Sequence, residues 1–436
     1  MSHKDSPSLG QALATGNNTY TGNTTIAAGA DLRTGGTGIG NSSAVSFTGA
    51  GTLRILANET IGSIASSGSD GTVVLTGTLT TGGNNASTSY GGTSSGAGGL
   101  TKVGSGTLET TNVNGFTGAF NVNEGRLIVS ANDRGGDLNN ASAVNFGGGI
   151  LEIVVDSANT KTFTKNFNVA TASTLAYKNT TATSRTLTLG TGVLNLGANL
   201  TIQNISTDTT LNNLINISRN ITGSGNLIVE IFNNVASGAV AFSTGRVQLS
   251  GDHTAWTGNL VVAKGTAQFS GPNSVVPTAQ SITLGITGDA FGAALGFNQG
   301  NTDSTVTNAI TVTTGGVRLI RNNSGPDTTA NITFSGPINL LGSLTLDHAG
   351  LGDGKSITVS GNATGAGGLN VSFVGPHAVA NSSVRLTGTN DYTGATSVSS
   401  GKLVVTNTIG SSAVTVSGTG TIPSSPVTRT PSLSAR

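Results

Sequence analysis

The sequence predicts an all-β chain wound into a solenoid, and three observations predict it. First, one short unit occurs four times with matching internal spacing: Tyr20-Thr21-Gly22…Ile26…Gly29, Phe116-Thr117-Gly118…Val122…Gly125, Trp256-Thr257-Gly258…Val262…Gly265 and Tyr392-Thr393-Gly394…Val398…Gly401. Second, 66 of the 436 residues are Gly, and Thr, Ser, Asn and Val dominate the rest, a composition of strands broken by turns rather than of helices. Third, apolar residues alternate with polar ones over short runs. Repeated strand-and-turn units cannot bury their apolar faces alone, so they stack.

The strand candidates include Leu53–Leu56, Val73–Thr76, Arg126–Val129, Thr186–Leu189, Ile310–Thr313, Leu344–Leu346 and Leu403–Thr406. Gly, Asn, Asp or Ser bounds each one, and no stretch shows a helical period. A sandwich has no reason to reuse one unit along the chain. A propeller needs near-constant blade spacing, whereas the aromatic anchors fall unevenly at 20, 116, 256 and 392. Uneven intervals suit a solenoid, where loops and unmarked coils separate the marked ones. At roughly 20–25 residues per coil and ~4.8 Å per coil, about 17–22 coils would form a rod about 80–100 Å long. Val, Ile, Leu and Ala are expected inside the narrow bore. Gly is expected at corners, and Asn in side-chain ladders between coils.

More of the unit recurs than its aromatic segment. A Gly-rich turn into a strand precedes three copies: Gly98-Gly99-Leu100-Thr101-Lys102-Val103-Gly104, Gly223-Ser224-Gly225-Asn226-Leu227 and Gly365-Ala366-Gly367-Gly368-Leu369. A Ser-Ala-Val strand follows three copies, at Ser43, Ser142 and Ser412. The run Gly-Gly-Leu-x-Lys-x-Gly-x-Gly-x-Leu, followed by Asn-x-aromatic-Thr-Gly-x-Thr-x-Val-x-x-Gly-x-Leu, resembles the autotransporter-associated β-strand repeat, also called the passenger-associated transport repeat. Residues 98–127 match best. Val229 and Val371 replace Lys102 in two copies, and the first copy lacks the upstream half.

The resemblance implies a single-stranded, right-handed parallel β-helix of pectin-lyase-like architecture, a passenger of Gram-negative type V secretion, secreted or held at the outer-membrane surface. It also implies an export signal and a carboxy-terminal barrel. Met1–Pro7 has no apolar signal stretch and Ile422–Arg436 is short and Pro-rich, so both are expected outside this chain. Residues 1–14 are expected to be disordered, 15–422 to form the solenoid with units near 17–45, 98–145, 223–276 and 365–416, and 423–436 to be a disordered Pro/Ser-rich tail. The repeat positions Tyr20, Gly22, Gly29, Leu100, Lys102, Phe116, Gly118, Gly125, Trp256, Gly258, Gly265, Tyr392, Gly394 and Gly401 are read as structural. The aromatics are expected as core or corner packing. The alternative is an exposed platform for sugar rings, and Phe at one copy shows that no hydroxyl is required.

Composition narrows the chemistry. Lys+Arg 20 against Asp+Glu 19 leaves a net charge of +1, which gives no long-range pull toward nucleic acid or anionic membrane. No apolar run approaches the ~20 residues of a spanning helix. The absence of Cys excludes disulfides and thiolate metal sites, and no cofactor or metal is expected. Asp252-His253 and Asp347-His348 are adjacent pairs, but neighbours on a strand face opposite ways, so neither forms a dyad and both are read as surface polar groups. Gly350–Ser356 departs from a phosphate loop at Ala349 and is a single imperfect copy of a calcium repeat. Asp133-Arg134-Gly135-Gly136-Asp137 is the densest charged cluster and is read as a solvated turn; the remaining acids are scattered. Thr-x-Thr strands, at 78–80, 186–188 and 311–313, raise an ice-binding array, but their spacing is irregular.

The expected protein is therefore a non-catalytic stalk or adhesin scaffold, with an unidentified host-surface or glycan ligand and end-to-end self-association through its open ends. A carbohydrate-active β-helix enzyme and a glycan-binding module are the rivals. Acids and bases from three or more coils converging in one groove would favour the enzyme.

Overall fold

A computed structural model describes residues 10–112, 114–130, 138–156, 161–207, 211–231, 245–271, 280–299, 302–322, 330–348, 354–373, 382–410 and 413–418. These residues form strands and turns with no helix among them, and their strands pair in parallel from one coil to the next. The fold is a parallel β-solenoid, and each of the seven strand candidates falls on a strand, those ending at Thr76, Thr313 and Thr406 running one residue past it. The chain divides into two compact units, Met1–Leu200 and Thr201–Arg436.

In the first unit, alternation along each strand becomes columns up the stack. Leu79, Leu100, Phe120, Val144, Phe167 and Leu194 are in register and all face inward. Next to them an outward column runs Thr80, Thr101, Asn121, Asn145, Asn168 and Asn195. The expected ladder is in this column. Asn168 Nδ2 donates to Asn145 Oδ1 (2.8 Å), Asn145 Nδ2 to Asn121 Oδ1 (2.8 Å), and Asn121 Nδ2 to the Thr101 hydroxyl (2.9 Å). A second sheet aligns Leu108, Leu127, Leu151 and Leu175.

The second unit repeats the plan. Leu260, Ile282, Ile310 and Ile338 form one inward column, and Val247, Ala267, Leu295, Ile320, Leu346, Val371, Val398 and Val416 another. Ile332, Ile357, Val384 and Leu403 line a third face. Each buried Leu, Ile or Val contributes roughly 1.5–3 kcal/mol, which a lone coil cannot collect because its bore stays open. A coil takes 20 residues from Leu100 to Phe120, 28 from Ile282 to Ile310 and 33 from Leu227 to Leu260, so the upper range exceeds the expected 25.

One boundary differs from expectation. Gln11–Ala14 is not disordered but forms a strand paired with Asp31–Thr34, because its backbone finds the next coil in register. Residues 423–436 lie outside the described residues.

Candidate functional site

The repeat residues are brought together across coils rather than along one. Thr117, Thr257 and Thr393 each donate a backbone N–H to a glycine carbonyl one coil back, at Gly96, Gly223 and Gly365, each at 2.8 Å. Those three glycines have φ of 105°, 91° and 109°, conformations closed to most side chains. The next residue, Gly118, Gly258 or Gly394, then lies directly on Gly98, Gly225 or Gly367. The upstream Gly-rich turn is thus the bed on which the Thr-Gly segment of the following coil rests. The closing glycines, Gly29, Gly125, Gly265 and Gly401, all turn with positive φ between 60° and 79°.

Phe116, Trp256 and Tyr392 are buried, as corner packing requires. Tyr20 is not: it is 42% exposed. A Cβ on Gly22 would meet nothing within 4 Å, so no bed lies beneath it among the described residues.

Several charged side chains lie where alternation calls for apolar ones. Leu100 and Lys102 share one inward face, and Lys102 is buried with Nζ donating to the carbonyls of Val103 (2.7 Å) and Gly104 (2.8 Å). Burial lowers its pKa against the pull of Glu124, whose carboxylate takes the Gly104 N–H at 2.7 Å. Glu59 occupies the inward column of Leu79 and accepts from the Thr34 hydroxyl and the backbone N–H groups of Gly38 (3.1 Å) and Ile39 (3.2 Å). Arg318, in register with Leu344, is completely enclosed and paired with Asp289 at 2.8 Å. On outer faces, Arg126 pairs with Glu152 and Arg321 with Asp347, each one coil apart. Sequence reading missed the roles of Glu59, Glu152, Arg318 and Arg321. The available signal was a charge at the inward phase of an otherwise apolar alternation, legible for Glu59 alone.

The Asp-His pairs need correction. Neither is a dyad, as alternation requires, but they are not surface groups. His253 is fully buried, with neither ring nitrogen hydrogen-bonded, while Asp252 is exposed. Asp347 faces outward under its ion pair, and His348 lies inward against Phe373, ring centroids 5.8 Å apart, continuing the column Phe269, Phe297, Asn322. Burial pushes both imidazoles down to about 4, opposed at His253 by the Asp252 carboxylate. A folded pKa below the unfolded value of about 6.5 means that the unfolded chain takes up the proton first as pH falls. Stability is therefore full above pH ~6.5, declines between ~6.5 and ~4, and is flat below, with about 2–3 kcal/mol at stake per histidine. Urea denaturation at pH 7.5 and 4.5 checks this: His253→Leu should lose less stability between the two pH values than the parent.

Of the Thr-x-Thr segments, 311–313 does not present two threonines to solvent, since Thr313 is buried and donates to the Leu284 carbonyl (2.9 Å). Asp133–Asp137 and residues 349–353 lie outside the described residues. No group of three or more His, Asp or Glu suited to a metal occurs among the described residues, and no helix there is long and apolar enough to cross a membrane.

The architecture defines a parallel β-solenoid built on a reused unit that spans two adjacent coils. Residues 11–30, 100–129 and 383–405 match the Passenger-associated-transport-repeat family, so the chain carries autotransporter-type passenger repeats. The Trp256 copy falls outside the matched residues. Comparison with curated proteins and with solved structures returned no match.

Proposed function

We propose that this chain is a non-catalytic passenger scaffold, secreted or displayed at the outer surface of a Gram-negative cell, whose stack of coils carries loops away from the membrane. The observation that supports this most is the use of its charges. Lys102 and Glu59 hold backbone groups, Arg318 binds Asp289, and Arg126–Glu152 and Arg321–Asp347 tie neighbouring coils. A glycosidase or lyase instead needs carboxylates free to donate or accept protons at a substrate. The passenger repeats agree with surface display.

The rival is a carbohydrate-active enzyme centred on Arg321 and Asp347. Folded protein incubated with pectate, alginate and xylan should release neither reducing ends nor unsaturated uronate. Release that disappears in Asp347→Asn would replace the scaffold reading with the enzymatic one.

A further inference from the structure

The turn from Ser250 to Trp256 is tied down at both ends and free between them. At its start, Ser250 donates its N–H to the Ile217 carbonyl (3.0 Å) and its hydroxyl to Asn216 Oδ1 (2.9 Å). At its end, Trp256 Nε1 donates to the Gly225 carbonyl (2.9 Å) and the Thr257 N–H to that of Gly223 (2.8 Å). Among the described residues, no hydrogen bond joins residues 251–255 to another coil. Their bonds are internal: the Thr254 N–H donates to Asp252 Oδ1 (2.9 Å), and the Trp256 N–H to the His253 carbonyl (3.1 Å). Asp252, Thr254 and Ala255 are exposed, and Gly251 has no side chain. His253 is the one side chain of these five that is buried, and it is buried completely. Its imidazole is the pin that holds a five-residue flap against the stack.

An imidazole is a poor pin once charged. Neither ring nitrogen has a hydrogen-bond partner, so an enclosed imidazolium would have two donors and no acceptor. The charged groups on the elements packed against the turn do not repair this. Asp252, through its carboxylate and its backbone carbonyl, favours the charged ring, but burial outweighs it. The coil below brings Arg219, whose carbonyl lies against Gly251, and Arg219 is itself a cation. Arg246, which begins the strand leading into the turn, donates to Asn212 Oδ1 (3.0 Å). Residues 220–229, 232–244 and 271–281 carry no titratable side chain. With the flap open, the ring stands in water and titrates near ~6.5.

We infer that residues 251–255 form an acid-released flap, in which protonation of His253 expels the ring and opens the corner that Trp256 closes. The ends stay anchored, so the coil is not undone. Arg246–Leu249 and Leu260–Ser270 keep their ladders to the neighbouring coils while the residues between them swing out. Opening breaks the bond from the Trp256 N–H to the His253 carbonyl and admits water to the indole. A closed-state pKa of about 4 means that the proton favours the open flap by about 300-fold, and the transition falls between pH ~4 and ~6.5. The device adds an acid response to the stack whatever the stack displays, so it does not depend on the scaffold reading.

Trp256 is the only tryptophan of the chain, so its fluorescence reads this corner alone. Acrylamide quenching of the full chain should rise at least about twofold between pH ~7.5 and ~3.5, with a midpoint between ~4 and ~6.5, while far-ultraviolet circular dichroism stays unchanged. His253→Leu should remove the rise. His348→Leu, at the other buried imidazole, should keep it. A second measurement needs no variant and stands alone if His253→Leu does not fold. The chain labelled with nitrogen-15 tryptophan shows one backbone amide, and its hydrogen exchange, corrected for intrinsic rate, should lose at least about tenfold protection between pH ~7.5 and ~4.5. The inference is overturned by quenching that does not rise, by a rise that persists in His253→Leu or comes only with loss of strand signal, or by a Trp256 amide whose protection does not change.

Discussion

Arg318→Met is expected to destabilise the second unit by about 3–5 kcal/mol. The guanidinium fills the corner where two successive coils turn. Nε donates to Thr313 Oγ1 (3.2 Å), Nη1 to the Phe291 carbonyl (2.6 Å), and Nη2 to the carbonyls of Ile286 (3.0 Å) and Thr314 (2.9 Å) and to Asp289 Oδ1 (2.8 Å). A Cβ on Gly285 would lie 2.0 Å from the guanidinium carbon, so the glycine is what makes room for the charge. Met fills similar volume but leaves the Asp289 carboxylate, with its Oδ2 already unpartnered, and the Phe291 carbonyl without their donor, while the Ile286 and Thr314 carbonyls keep the backbone N–H groups of Asp289 (3.3 Å) and Gly288 (3.1 Å). The loss is mainly the cost of the abandoned carboxylate, so Arg318→Met combined with Asp289→Asn should recover part of it. Lys cannot replace Arg, since one ammonium has three donors on a point and this site needs a planar fork. Urea denaturation reads all three variants. A single Met variant within about 0.5 kcal/mol of the parent would mean that the corner is held by its backbone alone.

The all-β solenoid was legible because period-two alternation and recurrent glycine turns leave few other ways to bury these faces. Every strand candidate was found for the same reason: each places apolar residues at inward phase. Arg318 was not legible as a structural element. Sequence shows an Arg in a strand, and only the register with Leu344 shows that it points into the bore. His253 was misjudged for a related reason, since a polar residue in a turn is ordinarily solvated, and this turn folds inward above the coil that holds Gly223 and Gly225. Trp256 closes the same corner, its Nε1 donating to the Gly225 carbonyl at 2.9 Å.

The repeat motif was legible as a pattern but not as a geometry. Read along the chain, the Gly-rich turn and the aromatic-Thr-Gly segment are separate pieces with variable gaps. In space they are successive layers, and the gap is one coil of whatever length the loops require. The strict spacing within each piece and the loose spacing between them follow from this, because strand register tolerates no slip whereas a surface loop tolerates insertion. Tyr20, with no such bed beneath Gly22 among the described residues, is open, which a list of motif residues does not reveal.

That geometry separates four chemically identical substitutions. Gly118→Ala, Gly258→Ala and Gly394→Ala should each cost about 2–4 kcal/mol, whereas Gly22→Ala should be neutral within about 0.5 kcal/mol. In the first three, the added Cβ would lie 2.3 Å from Gly98 O, 1.9 Å from Gly225 O and 2.3 Å from the Gly367 carbonyl carbon. The obstacle in each case is backbone, which cannot rotate away as a side chain can. Relief requires the two coils to part locally, and that stretches the neighbouring bonds from Thr117 to Gly96, Thr257 to Gly223 and Thr393 to Gly365. Gly22 has nothing within 4 Å of the same position. Ala would ordinarily stabilise an extended segment by limiting the unfolded chain, so the sign of the effect itself reports whether a coil lies beneath. Thermal melts of the four variants decide the matter: equal effects at all four positions would show that these glycines serve local conformation, and a loss confined to the last three shows that they serve the stacking of one coil on the next.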